Sequence, residues 1–65
     1  MKSYSSREVI AILTQDGWYE VGRVGDHKQF KHPDKKGKVT VTHPVKTMPV
    51  CNLKSIEKQA KIKLV

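Results

Sequence analysis

Residues 27–42 read HKQFKHPDKKGKVTVT, and this stretch decides the fold of the chain. Residues 38–42 alternate between polar and apolar side chains, which is typical of a strand with one buried face. Residues 27–32 alternate around a single large apolar residue, Phe30, and also predict a strand. The intervening residues 33–37 contain a proline and a glycine, which favour a turn. The stretch therefore predicts two strands joined by a short connection.

The alternation also predicts which way the side chains of the earlier strand face. Successive side chains of a strand point to opposite faces, so Lys28 and Phe30 share one face with His32. His27 and Lys31 then lie on the other face. If Phe30 packs against helices, His27 points away from the core.

A helix and another strand precede this hairpin. Ser5 and Glu8 have the spacing of a capping box, and the apolar residues that follow recur at helical intervals. Gly17 is suited to end the helix in a left-handed conformation, so we predict a helix over residues 6–16. Residues 18–24 are rich in aromatic and β-branched side chains and predict a strand, followed by a Gly-Asp turn.

The chain after the hairpin predicts a loop and a second helix. Residues 43–49 hold two prolines and are expected to form the loop. We take Asn52 as the N-cap of the helix and place the end of the helix near Lys61. Its apolar positions share one face: Leu53, Ile56 and Ala60.

The predicted fold is α+β, a single domain over residues 1–65 with the element order α-β-β-β-α. Short connections favour a three-stranded antiparallel sheet, and both helices must cover one face of it to bury their apolar stripes. This layout is similar to that of a double-stranded-RNA-binding domain. A chain of 65 residues builds only a thin core, so we expect function on an open surface.

The charge of the chain indicates a polyanionic partner. Thirteen Lys and Arg residues oppose six Asp and Glu residues, for a net charge of +7. Nucleic acid is the favoured partner, with an anionic membrane, an acidic protein or simple solubility as alternatives. There is one cysteine, no pattern of a signal peptide and no apolar run of about 20 residues. We therefore expect a soluble cytoplasmic protein that does not enter a membrane.

Three histidines are the candidates for chemistry. His32 and His43 each precede a proline, a position that favours a half-exposed packing role. Cys51 has no recognisable spacing to the histidines, so no metal site and no cofactor is expected. His27 follows a turn, opens a strand and is flanked by cations, which makes it the candidate catalytic residue.

One histidine among cations is suited to cleaving RNA without a metal. RNA carries its own nucleophile, the 2′-hydroxyl, and needs a base to remove its proton and positive charge near the phosphate. His27 would act as general base or acid because imidazole titrates near neutral pH. Lys28 and Lys31 are the first candidates for phosphate contacts. Weaker candidates are Lys35, Lys36 and Lys54. A non-catalytic RNA-binding module and a protein-interaction domain remain alternatives.

Four stretches of the chain, in the correct order, resemble HicA toxins. They are residues 6–10 leading into 16–19, residues 25–33 with the Gly-Asp-His and Phe-x-His-Pro motifs, residues 39–44 and residues 53–60. The resemblance implies a double-stranded-RNA-binding-like fold, an mRNA interferase activity carried by His27, and a HicB-type antitoxin as partner.

The chain departs from the pattern of the family beside the implied catalytic residue. Asp26 stands where the family usually has serine, and a carboxylate there would favour the charged form of His27. Gly22 replaces an expected arginine, and Cys51 and Lys61 replace common glycines. These differences leave open a catalytically weakened toxin.

Overall fold

The computed structural model describes residues 3–64 and confirms the α+β fold with the order α-β-β-β-α. The predicted ends of the strands differ from the observed ones by a residue or less. The elements are α1 (Ser6–Asp16), β1 (Tyr19–Val24), β2 (His27–Lys31), β3 (Val39–Thr42) and α2 (Val50–Ala60).

Helix α1 begins and ends where local sequence signals place its ends. The Ser5 hydroxyl accepts a hydrogen bond from the backbone N–H of Glu8 (3.2 Å), and the Ser5 N–H donates to the Glu8 carboxylate (2.9 Å). Gly17 ends the helix with φ 108°, a conformation that side chains with a Cβ rarely adopt. The predicted capping box and glycine terminus are both confirmed.

The three strands form one antiparallel sheet in the order β1-β2-β3. His27 lies opposite Val24 on β1 and opposite Thr42 on β3. Since directly opposed residues of antiparallel strands point to the same side, these three side chains form one row. The register between β1 and β2 shifts at Val21, between the pairs made by its two neighbours. This shift was not predicted.

The core lies between one face of the sheet and the two helices, as predicted. Phe30, Val39 and Val41 are buried on that face. The helices and the residue before β1 contribute the other large buried side chains: Val9, Leu13, Trp18, Leu53 and Ile56. Neither helix of residues 3–64 lies on the opposite face of the sheet, and exposed side chains such as His27 and Val24 occupy it.

The prediction that Asn52 caps α2 is wrong. The N-cap is Pro49, three residues earlier, and the helix begins at Val50. The Pro49 carbonyl accepts hydrogen bonds from the N–H groups of Asn52 (3.0 Å) and Leu53 (3.1 Å). Proline has a φ near that of a helix and needs no partner for a backbone N–H, so it starts a helix well. The Asn52 side chain is consequently exposed on the first turn rather than folded back on the backbone.

Candidate functional site

His27 lies on the uncovered face of the sheet, at the first position of β2. Its side chain is exposed, as the alternation around Phe30 predicted. The His27 Nδ1 atom is 3.4 Å from the hydroxyl of Thr42, at the long end of hydrogen-bond distances. Within residues 3–64, its Nε2 atom makes no hydrogen bond or ion pair. The imidazole can therefore meet a ligand from solvent through Nε2.

The two lysines ranked first as phosphate contacts lie on different faces of β2. Lys28 lies opposite Val41, on the side of the helices, and its ammonium is 3.5 Å from the Glu20 carboxylate. Lys31 is exposed on the same face as His27, at the other end of the strand. The structure thus brings Lys31, but not Lys28, onto the face of His27.

Lys35 is held within the framework of the domain. Its ammonium is 2.5 Å from a carboxylate oxygen of Asp16 and donates to the carbonyl of Ala60 at 3.0 Å. It thereby joins the end of α1 to the end of α2. The hydrogen bond and the charge of Lys35 lower the pKa of Asp16 below its ordinary value. Lys36 and Lys54, by contrast, are exposed.

His32 occupies the opposite end of β2 from His27 and is fully engaged. Its Nδ1 atom accepts hydrogen bonds from the backbone N–H groups of Asp34 (2.9 Å) and Lys35 (3.1 Å). A nitrogen that accepts two amides carries no proton, so Nε2–H is the donor to the Asp16 carbonyl at 2.6 Å. The ring also contacts Trp18 edge-on, with 5.3 Å between centroids. The predicted packing role is confirmed.

His43 is also a packing residue, and it is attached to a serine that the sequence analysis missed. The Ser6 hydroxyl lies 2.7 Å from His43 Nδ1 and accepts from the Val45 N–H at 2.8 Å. The backbone N–H of His43 donates to the backbone carbonyl of Asp26, next to His27, at 2.7 Å. Ser6 is buried. Its spacing of three and seven residues from the buried Val9 and Leu13 was the available signal.

A groove between β3 and α2 adjoins His27. It has a volume of about 180 Å³ and is lined by Thr40, Thr42, Met48, Asn52, Ser55, Ile56 and Gln59. We call it the β3–α2 groove. Thr42 belongs both to this groove and to the row of His27. A second depression, of about 600 Å³, lies by the start of α1 and includes two cations that the sequence analysis did not single out, Arg7 and Lys46.

The described residues contain no group of three or more His, Cys, Asp or Glu side chains placed to hold a metal ion. Within the same part of the chain, neither helix is long and apolar enough to cross a bilayer.

The fold and the site together define a small basic α+β domain that presents His27 and Lys31 on an open sheet face. The chain belongs to the HicA toxin family, since the family model described as the HicA toxin of bacterial toxin–antitoxin systems matches residues 6–62. It is therefore a toxin of a toxin–antitoxin system, which implies an antitoxin as partner. A comparison with curated proteins finds no matching relative.

Proposed function

We propose that this toxin is a metal-independent endoribonuclease that cleaves mRNA in the cytoplasm, with His27 as general base and acid. The observation that carries the proposal is the state of the His27 side chain. Its ring is exposed on a sheet face that neither helix of residues 3–64 covers, and its one hydrogen bond within those residues joins Nδ1 to Thr42. The two other histidines have their rings committed to the framework.

His27 would use its Nε2 atom to remove the proton of a 2′-hydroxyl. The 2′-oxygen then attacks the neighbouring phosphorus, and the bond from phosphorus to the 5′-oxygen breaks. The leaving 5′-oxygen takes a proton from the His27 imidazolium, which restores the neutral ring, so the products are a 2′,3′-cyclic phosphate and a 5′-hydroxyl. DNA lacks the 2′-hydroxyl, so it would be bound without being cut.

Lysines of β2, of the connection after it and of α2 would supply positive charge that attracts the RNA backbone to the domain. Lys31, Lys36 and Lys54 are exposed and free to reach phosphates. Lys28 is half-buried beside Glu20 and would contribute at longer range. Lys35 has its ammonium bound to Asp16, so we expect its contribution to RNA binding to be the smallest of the five.

The antitoxin would neutralise the toxin by covering the same face. The family resemblance indicates a HicB-type protein, and carboxylates on such a partner would suit the net charge of +7. A partner seated over β2 would exclude RNA from the exposed Nε2 atom of His27.

The nuclease is tested by incubating the purified toxin with mRNA in EDTA. We expect cleavage to persist in EDTA and to fall by about 10²–10⁴-fold in His27→Ala, the range that a general base or acid contributes. Products ending in a 2′,3′-cyclic phosphate identify the reaction. Loss of cleavage in EDTA, or full cleavage by His27→Ala, would contradict the proposal.

The second candidate function is an RNA-binding module with weakened or absent catalysis. It is favoured by Asp26, which directly precedes His27 in the chain, at the position where the family usually has serine. Binding to RNA that weakens steeply with salt, without cleavage, would identify this alternative.

A further inference from the structure

We propose that the β3–α2 groove binds one nucleobase of single-stranded RNA next to the phosphate cleaved at His27. This inference deepens the proposed nuclease function by assigning a base-recognition subsite. It begins from an unusual composition: none of the seven residues that line the groove is charged, in a chain with 13 Lys and Arg residues. A surface that bound only phosphate would be expected to present cations, so the groove favours an uncharged part of the RNA.

The polar rim of the groove has hydrogen-bonding capacity to spare. Among residues 3–64, the hydroxyls of Thr40 and Ser55 and the amide of Gln59 make no hydrogen bond. The Asn52 side chain is exposed; its Oδ1 atom accepts a hydrogen bond from the Cys51 thiol at 3.7 Å, and its NH2 group makes none among residues 3–64. Amide side chains carry a donor and an acceptor side by side, the arrangement that pairs with the edge of a base.

The floor of the groove is apolar and the groove is small. Met48 and Ile56 are each only 3% exposed, so the groove would hold a base mainly through the polar side chains of its rim. The volume of about 180 Å³ is below the roughly 300–1,000 Å³ of pockets for drug-sized ligands. One base fits such a groove, whereas a base pair does not. The edges and faces of bases are available in this way only in unpaired RNA.

Thr42 places the groove next to the proposed chemistry. Its side chain lines the groove, and its hydroxyl is the contact of His27 Nδ1. Asn52, Ser55 and Gln59 recur at intervals of three and four residues and so lie along one side of α2, facing β3. A base held there would set which nucleotide presents its phosphate to His27.

Binding without cleavage is the first test. Short single-stranded RNA oligonucleotides that differ in one base are titrated into His27→Ala, with the side-chain amide signals of Asn52 and Gln59 followed by NMR. We expect those signals to shift and the affinities to differ by about fivefold or more between bases, as for a good bidentate contact. Asn52→Ala and Gln59→Ala should each reduce that difference. Gln15→Ala, which removes an exposed amide from α1, is the matched control and should not.

Mapping of cleavage sites in mRNA is the second test. Asn52→Ala and Gln59→Ala should flatten the base preference beside the cleaved bond while cleavage continues. Equal affinity for all bases, with unmoved amide signals, would overturn the proposal. Groove variants that lose neutralisation by the antitoxin but keep the cleavage pattern would also overturn it, in favour of a protein-docking site. Base-selective binding by a toxin that never cleaves would instead reject the nuclease and leave the subsite standing.

Discussion

The two ends of strand β2 carry histidines in opposite states. At the anchored end, both ring nitrogens of His32 are hydrogen bonded, and the ring packs against Trp18. At the open end, His27 makes one hydrogen bond within residues 3–64, at 3.4 Å, and is exposed. The same residue type thus serves as framework at one end of a strand and as candidate reactive group at the other. What separates the two roles is how many hydrogen bonds the protein itself supplies.

The largest expected effect is the difference in stability between the His32→Ala and His27→Ala variants. His32→Ala leaves the N–H groups of Asp34 and Lys35 without their acceptor and removes the ring from Trp18. We expect a loss of about 2 kcal/mol or more in unfolding free energy, which lowers Tm by roughly 8–16 °C in a domain of this size. His27→Ala should leave Tm within about 2 °C, as for an exposed residue. Thermal unfolding of the two variants measures the contrast, and equal losses would abolish it.

Ser6→Ala tests whether the stability of the domain near the open end of β2 depends on the Ser6 hydroxyl. The substitution removes the hydroxyl that accepts from the Val45 N–H and lies beside the His43 ring. The backbone N–H of His43 in turn donates to the carbonyl of Asp26, next to His27. We expect a cost of about 1–2 kcal/mol, because the partly buried Val45 N–H loses its acceptor. Urea unfolding gives the value. Ser5→Ala, at the exposed cap one residue earlier, should cost about 1 kcal/mol or less and serves as the comparison.

The pH dependence of the unfolding free energy tests the ion pair between Lys35 and Asp16 at the anchored end. Lys35 lowers the pKa of Asp16, so the folded state favours the charged carboxylate. That stabilisation is complete above the ordinary value of 3.8 and is lost as pH falls through the lower pKa of the folded state. Asp16→Asn should therefore be less stable than the parent at pH 7, and the two should converge below about pH 4. Because the carboxylate is about one-third exposed, added salt should shrink the difference. A difference that stays constant from pH 7 to pH 2 would show that the charge of Asp16 is not its source.

The open end was more predictable from sequence than the anchored end, and the reason is the range of the interactions. The exposure of His27 follows from alternation within β2, and the start of α1 follows from Ser5 and Glu8, three residues apart. The role of Lys35 depends on contacts with Asp16 and Ala60, which are 19 and 25 residues away. No local pattern reports such contacts.

The start of α2 and the β3–α2 groove were missed for a related reason. Asn52 is a good N-cap by residue type, but Pro49 also starts a helix well, and local signals do not decide between two competing starts. The groove itself forms only when α2 lies beside β3. The His27→Ala variant tests the predicted catalytic role of His27, and the RNA contacts of the five lysines stay predictions.

The smallest expected effect concerns Asp26, at the open end itself. Its side chain is exposed, and the part that serves the fold is its backbone carbonyl, which accepts from the His43 N–H. Asp26→Ser keeps that carbonyl, so we expect stability to change by no more than about 0.5 kcal/mol. The substitution removes a negative charge from the path of the RNA phosphate, so cleavage should accelerate by a few-fold, and most at low salt. Initial rates of cleavage at two salt concentrations measure this, with Asp34→Ser as a control that removes an exposed carboxylate at the anchored end. If both substitutions accelerate cleavage equally, the gain reflects net charge alone; if Asp26→Ser leaves the rate unchanged, Asp26 does not weaken this toxin.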